Sequence, residues 1–145
     1  MKLVVQRVTN AKVEVNEEIV GKIENGLMVL VGIGVGDTEE HANFLAKKLC
    51  NLRIFEDENE KMNLSIKDVN GKILAISQFT LYANCSHGNR PSFIESEKPE
   101  QAKKLYEYFM KKCIEEGVET EEGIFGAHMK VSLLNDGPVT IILEK

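Results

Sequence analysis

The chain has 145 residues, 23 acidic against 18 basic side chains, and a net charge of −5; 43% of it is hydrophobic and 28% charged. That fits one domain, 1–145, long enough to bury a sizeable core, and excludes a disordered chain. No apolar run nears the ~20 residues of a membrane span, and the acidic balance argues against a protein that coats nucleic-acid backbone.

DNA and membranes are therefore not expected partners. A small pocket with a few lysines could still grip one RNA end. Lys103, Lys104, Lys111 and Lys112 are candidates, although each taken singly reads as part of a solvated helix face. Cys50, Cys85 and Cys113 are odd in number and form no C-x-x-C pair. They suggest neither a disulfide framework nor a zinc site, and the expected location is the cytoplasm. Cys50 and Cys113 fall on helix faces and read as core filler.

Lys2–Val8 is β-branched and partly alternating, which predicts a strand. Lys12–Val15 and Ile19–Ile23 predict a hairpin around Asn16-Glu17-Glu18, followed by an Asn25-Gly26 turn. Leu27–Ile33 is almost continuously apolar and predicts a buried central strand. Gly32-Ile33-Gly34-Val35-Gly36 lacks the full spacing of a phosphate loop and reads as a flexible strand exit. Asp37, with Glu40 three residues on, predicts a helix cap. The helix behind it buries Ala42, Leu45, Ala46 and Leu49 at i, i+3, i+4 and i+7.

Asn51–Phe55 predicts a short strand and Glu56–Lys61 a polar loop. After an Asn70-Gly71 turn, Lys72–Ala83 predicts one long strand, and Asn84–Ser92 a loop. A second helix starts near Pro99, buries Ala102, Leu105, Tyr106, Phe109 and Cys113, and stops at Gly117. Strands with a Gly-Pro turn between them fill Val118–Leu143. Short hairpin-like links favour an α+β domain, mostly antiparallel, over a βαβ fold.

Two stretches stand out chemically. In Ser77-Gln78-Phe79-Thr80, three polar side chains sit in an apolar strand. They are either one polar face of the strand or the donors and acceptors of a pocket, since buried polar groups need partners. Thr80 invites a nucleophile hypothesis, but His41, His87 and His128 show no relay spacing. No cluster has metal-ligand spacing, and no cofactor is expected. The second stretch is Asn135-Asp136-Gly137-Pro138-Val139-Thr140. It is either an ordinary hairpin turn or a rigid unit that aims two main-chain carbonyls in one direction.

These segments, with Val5-Gln6-Arg7-Val8, Gly88-Asn89-Arg90-Pro91-Ser92-Phe93 and Phe125-Gly126-Ala127-x-Met129, resemble the D-aminoacyl-tRNA (D-tyrosyl-tRNA) deacylases. The resemblance covers the whole chain. No single motif is specific, but their order and spacing together are.

The resemblance implies a barrel-like α+β homodimer. It implies hydrolysis of the ester between a D-amino acid, or glycine, and the terminal ribose of tRNA. Gly137, Pro138, Val139 and Thr140 match the turn that reaches into the other subunit's site and excludes L side chains, and Arg7 its brace. Ser77, Gln78, Phe79 and Thr80 match the catalytic wall. Phe125, Gly126, Ala127 and Met129 match the terminal-adenosine pocket. Water activated by the substrate 2′-hydroxyl and a covalent Thr80 intermediate both remain open. A binding module without catalysis and a purely structural dimer are the competing readings, and deacylation of D-Tyr-tRNA against L-Tyr-tRNA separates them.

Overall fold

A computed structural model describes residues 1–145. One strand organises it. β1 runs unbroken from Lys2 to Val15 and absorbs both strands expected before Asn16. Its first half pairs antiparallel with β3 (Gly26–Gly32), and its second half with β2 (Glu18–Ile23). The opposite edge pairs along both halves with β8 (Lys130–Glu144). The hairpin between β1 and β2 turns on Asn16 and Glu17, both at positive φ (50° and 68°).

β3 then pairs with β6 (Lys72–Ser77), and β6 with β7 (Thr120–Glu122). Both of these pairings are parallel, so α1 (Glu39–Cys50) and α2 (Pro99–Glu115) lie in crossovers. The sequence reading, built on hairpin-like links, missed this. Parallel neighbours need a long connection, and a helix is the usual one. The antiparallel pairings of β1 and of the small hairpin β4–β5 (Phe55–Glu56, Met62–Leu64) still dominate. β2 folds across to approach β6 and β7, so the sheet nearly closes into a barrel.

The central strands bury both faces. Leu27, Val29, Val31, Ile73 and Ala75 pack with Leu45, Leu49, Tyr106 and Phe109 of the helices. Met28, Leu74 and Ile76 point the other way and meet Val8, Val13 and Ile23 inside the barrel. Full burial of one such aliphatic side chain is worth about 1.5–3 kcal/mol. Cys50 and Cys113 are free and buried as expected, while Cys85 is exposed.

Several local expectations shift. Thr38, not Asp37, caps α1, and its N–H donates to Nδ1 of His41 (3.2 Å), which fills the place expected for Glu40. The Asp37 carboxylate is already engaged: it accepts from the Gly34 N–H (2.6 Å) and pairs with the Met1 ammonium. Of the expected 51–55 strand only Phe55 pairs, with β5, and Glu56 of the expected loop pairs beside it.

Candidate active site

The expected strand 72–83 stops at Ser77. Its partner β3 ends at Gly32, and the last register pair is Val31 with Ser77. The Gln78 N–H closes the ladder on the Val31 carbonyl (2.8 Å). With no further strand to pair against, the chain leaves β geometry at Gln78 (φ −143°, ψ 84°) and winds into a 3-10 turn, Phe79–Tyr82. The polar residues therefore sit at the carboxyl ends of two parallel strands, where open α/β sheets commonly place ligands.

The Gly32-x-Gly34 stretch explains how this turn is seated. A Cβ on Gly34 would come within 2.5 Å of the Tyr82 ring, so the strand exit is a flat bed for the turn and not a hinge. Tyr82 Oη approaches Asp37 Oδ2 at 3.4 Å. Burial, and then the Asp37 charge, push the Tyr82 phenol well above its usual range, so it stays protonated and can donate.

The turn's own hydrogen bonds start with the Leu81 N–H to the Gln78 carbonyl (3.3 Å) and continue with Ala83 to Thr80 (3.0 Å). The N–H groups of Phe79 and Thr80 precede that ladder, as the first donors of any helical turn do. The Thr80 hydroxyl accepts from the Gln78 amide, and Thr80 itself is exposed.

Beside the turn lies a cavity of about 680 Å³. Ser77, Gln78 and Phe79 form one wall, and Phe125, Gly126, Ala127 and Met129 another. Ile33 and Tyr106 supply apolar floor, while Glu97, Lys98 and His128 bring polar groups to it. Phe79 packs edge-on against Phe93, with ring centroids 5.0 Å apart. The Tyr106 hydroxyl donates to the Ala75 carbonyl (2.8 Å), and its ring lies 5.9 Å from that of Phe125. Burial pushes the Tyr106 phenol far up, leaving it a fixed neutral donor. In the sequence Phe93 stands only as part of a motif, and neither it nor Tyr106 stands out as a site residue. The aromatic spacing of α2 pointed Tyr106 to the core, and only the fold shows that it serves both.

The second stretch lies elsewhere on the chain. Gln6 pairs with Thr140 and Val8 with Asn135, so Asp136–Val139 stand opposite Arg7 alone. The expected hairpin turn is thus a bulge within one strand, because both flanks pair with the same partner, β1. The Gly137–Pro138 peptide is cis, and Asp136, Gly137 and Pro138 are exposed.

Arg7, 5% exposed, holds the bulge from beneath. Its Nε donates to the Asp136 carbonyl (3.0 Å) and its Nη1 to the Ile54 carbonyl (2.8 Å). Glu56 and Asp136 carboxylates at 3.6 and 3.7 Å balance its charge. Asn135 staples the ends: its Oδ1 accepts from the Val139 N–H (3.0 Å) and its Nδ2 donates to Thr140 Oγ1 (3.0 Å). That staple was not foreseen, although an Asn two residues before a Gly is a common turn-former.

The cavity thus gathers Ser77, Gln78, Phe79, Phe125, Gly126, Ala127 and Met129. Thr80 stands next to it, and Arg7, Gly137, Pro138, Val139 and Thr140 do not line it. No three His, Cys, Asp or Glu side chains converge in a way that could hold a metal ion.

Fold and cavity together define a single-domain α+β protein with a ligand-sized site at the end of a nearly closed sheet. The chain belongs to the D-Tyr-tRNA(Tyr) deacylase family, whose sequence model matches residues 4–144; like that family, it is a hydrolase acting on an ester bond. It is 58% identical over 144 residues to the D-aminoacyl-tRNA deacylase of Thermosipho africanus, with 99% of this chain and 97% of that protein covered. It is 54% identical to that of Clostridium perfringens, at the same coverage.

A solved structure described as c-Myc DNA Unwinding Element Binding Protein matches with a TM-score of 0.92 and 42% identity, covering 100% of this chain and 99% of that one. Another, a probable eukaryotic D-amino acid tRNA deacylase, matches at 0.85 and 17% identity over 99% and 98%, a likeness of fold alone. The resemblance drawn from the motifs is borne out.

Proposed function

We propose that the protein cleaves the ester between a D-amino acid, or glycine, and the 3′-terminal ribose of tRNA in the cytoplasm. It spares L-aminoacyl-tRNA and works as a homodimer. The observation that carries this reading is the Gly137–Pro138 bulge: exposed, braced by a buried arginine, and absent from the cavity of its own chain. A second copy of the chain supplies the surface such a bulge would enter, across a two-fold interface.

In this reading the adenosine lies against Phe125, Gly126, Ala127 and Met129. The partner subunit's bulge meets the α-amino group with its main-chain carbonyls. Only main chain and a rigid ring face the substrate there, so the bulge grips no side chain and instead denies space. An L side chain would drive its Cβ into it, and overlap of one methyl with a rigid wall costs about 1–3 kcal/mol. A D side chain points away, and glycine has no Cβ.

The Phe79 and Thr80 N–H groups hold the carbonyl oxygen as it becomes an oxyanion, a role worth roughly 2.7–4 kcal/mol per donor in other enzymes. The substrate 2′-hydroxyl activates water. Water adds to the carbonyl carbon, and the C–O bond to the ribose breaks. The ribose oxygen takes one proton of the water, the other passes to solvent, and the amino acid leaves as a carboxylate.

Side-by-side deacylation of D-Ala-, Gly- and L-Ala-tRNA tests this. The first two should be cleaved and the third spared. Refusal of glycine would mean that a D side chain must be gripped, and exclusion would fall. Sedimentation showing a fully active monomer at micromolar concentration would remove the shared site.

A further inference from the structure

The lysines of α2 turn out to be committed. Lys103, Lys104, Lys111 and Lys112 each face a glutamate on the same helix, at 3.8, 3.1, 3.9 and 2.7 Å. Another cluster of cations lies at the end of α1 and just beyond it. A groove of about 470 Å³ runs along its last turn, lined by Phe44, Lys47, Lys48, Asn51, Leu52 and Arg53. Lys47, Lys48 and Arg53 are exposed, and none has a carboxylate within salt-bridge distance.

The Arg53 guanidinium is held by the Asn63 carbonyl (2.8 Å) and side chain (2.9 Å), while the carboxylates of Asp57 and Asp68 act on it only from beyond salt-bridge distance. Glu116, the acid that reaches Asn51 (3.5 Å), is occupied by Lys67 at 2.8 Å. Phe44 is 47% exposed beside these cations, with Lys145 Nζ 5.1 Å from its ring centroid. An open aromatic ring among cations offers stacking and charge together, the combination that holds unpaired RNA.

The groove is also tied to the bulge. Arg7 bonds the Ile54 carbonyl with one arm and the Asp136 carbonyl with the other, so the Arg53–Ile54 segment and Gly137–Pro138 belong to one braced unit. We infer that this groove holds the unpaired 3′ strand and the adjoining acceptor stem of the tRNA whose terminus lies in the partner subunit's cavity. This rests on the proposed shared site. One subunit would read the amino acid and adenosine, while the subunit lending the bulge would hold the nucleotides just before them.

The test uses a fluorescent RNA hairpin carrying an acceptor stem and its unpaired 3′ end, with wild type, Lys47→Gln/Lys48→Gln, and Lys104→Gln/Lys111→Gln as a control on committed lysines. With three phosphate contacts at about 0.7 each in log–log slope, wild-type affinity should fall about 18-fold between 50 and 200 mM salt, and that of the α1 variant about 3-fold. The control should behave as wild type. For D-Tyr-tRNA the α1 variant should raise KM and leave kcat at saturation unchanged, a split that general structural damage would not give.

An α1 variant with wild-type affinity and slope overturns the inference. So does wild type that fails to bind the hairpin, or a DNA duplex of equal length that competes equally well. If wild type binds the hairpin through α1 but does not hydrolyse D-Tyr-tRNA, the groove stands and the reaction reading falls. If it hydrolyses while the α1 variant is unchanged, only the groove falls.

Discussion

The turn after β6 and the bulge in β8 both break a strand, and they break it for opposite reasons. At Ser77 pairing runs out, because β3 ends at Gly32. The chain winds up locally, and its first main-chain donors are left at the cavity's edge. At Asp136 pairing does not run out, because β1 continues on both sides. The extra residues are pushed outward and must be held by something else, here Arg7 from below and Asn135 across the neck. A site used by its own chain can be built where a sheet stops. A projection pushed out of a continuing sheet needs a buried anchor.

The largest effect should come from the projection. A Cβ on Gly137 would stand 2.8 Å from Val139 Cγ2 and 3.1 Å from Arg7 Nη2, at a φ of +132° that L side chains rarely adopt. Backbone strain of this kind costs of order 1–3 kcal/mol. Gly137→Ala should therefore slow hydrolysis of every substrate, D-aminoacyl and glycyl alike, by about 10- to 100-fold. A variant that lost only L-discrimination while keeping full D rates would show that the bulge is not rigid, and the contrast between the two regions would collapse.

Next in size is the anchor. Arg7→Lys keeps the charge but loses the fork that reaches two carbonyls at once. Leaving partly buried acceptors unmet costs about 1–3 kcal/mol. Thermal unfolding should drop by several degrees, on the order of 2–4 °C per kcal/mol for a chain of this size. Activity should fall roughly 10-fold, as a bulge loosened by about that free energy would imply. Equal loss of stability with untouched D-Tyr-tRNA turnover would show that Arg7 supports the fold and not the bulge.

This contrast also marks what could be read from the sequence. Both helices were legible because Ala42, Leu45, Ala46 and Leu49, and then Ala102, Leu105, Tyr106 and Phe109, repeat at helical spacing, and all are buried. The barrel-like α+β class was legible too. The strand breaks were not. Residues 72–83 alternate well enough for a single strand, and what ends it is the length of β3, some forty residues earlier in the chain. Asn135–Thr140 reads locally as a hairpin turn, and only the shared partner β1 makes it a bulge. Pairing is non-local, and a local pattern cannot say which partner each half will find. The motifs assigned Ser77, Gln78, Phe79, Phe125, Gly126, Ala127 and Met129 to the site, but gave Phe93 no role and left out Tyr106 and the Asn135 staple. Nor did counting lysines reveal which ones the glutamates of α2 would occupy.

The smallest effect should come from the side chain that looks most like a nucleophile. Thr80 is exposed, and its hydroxyl is engaged as an acceptor for the Gln78 amide. Thr80→Ala removes that hydroxyl and leaves the main chain in place. The Leu81-to-Gln78 and Ala83-to-Thr80 bonds that shape the turn use backbone atoms only, as do the donors expected to meet the oxyanion. The released Gln78 amide can bond water, so the loss should stay within about 1 kcal/mol, less than roughly 10-fold in rate. Removing the 2′-hydroxyl from the terminal adenosine should cost more, because it takes away the group proposed to activate water. A covalent route inverts this order. It needs the hydroxyl itself, so Thr80→Ala would be inactive, Thr80→Ser would recover turnover, and an acyl-Thr80 adduct could be trapped by rapid acid quench and found by mass spectrometry. Measuring Thr80→Ala, Thr80→Ser and the 2′-deoxy substrate together therefore decides whether the turn after β6 acts through its backbone or through one side chain.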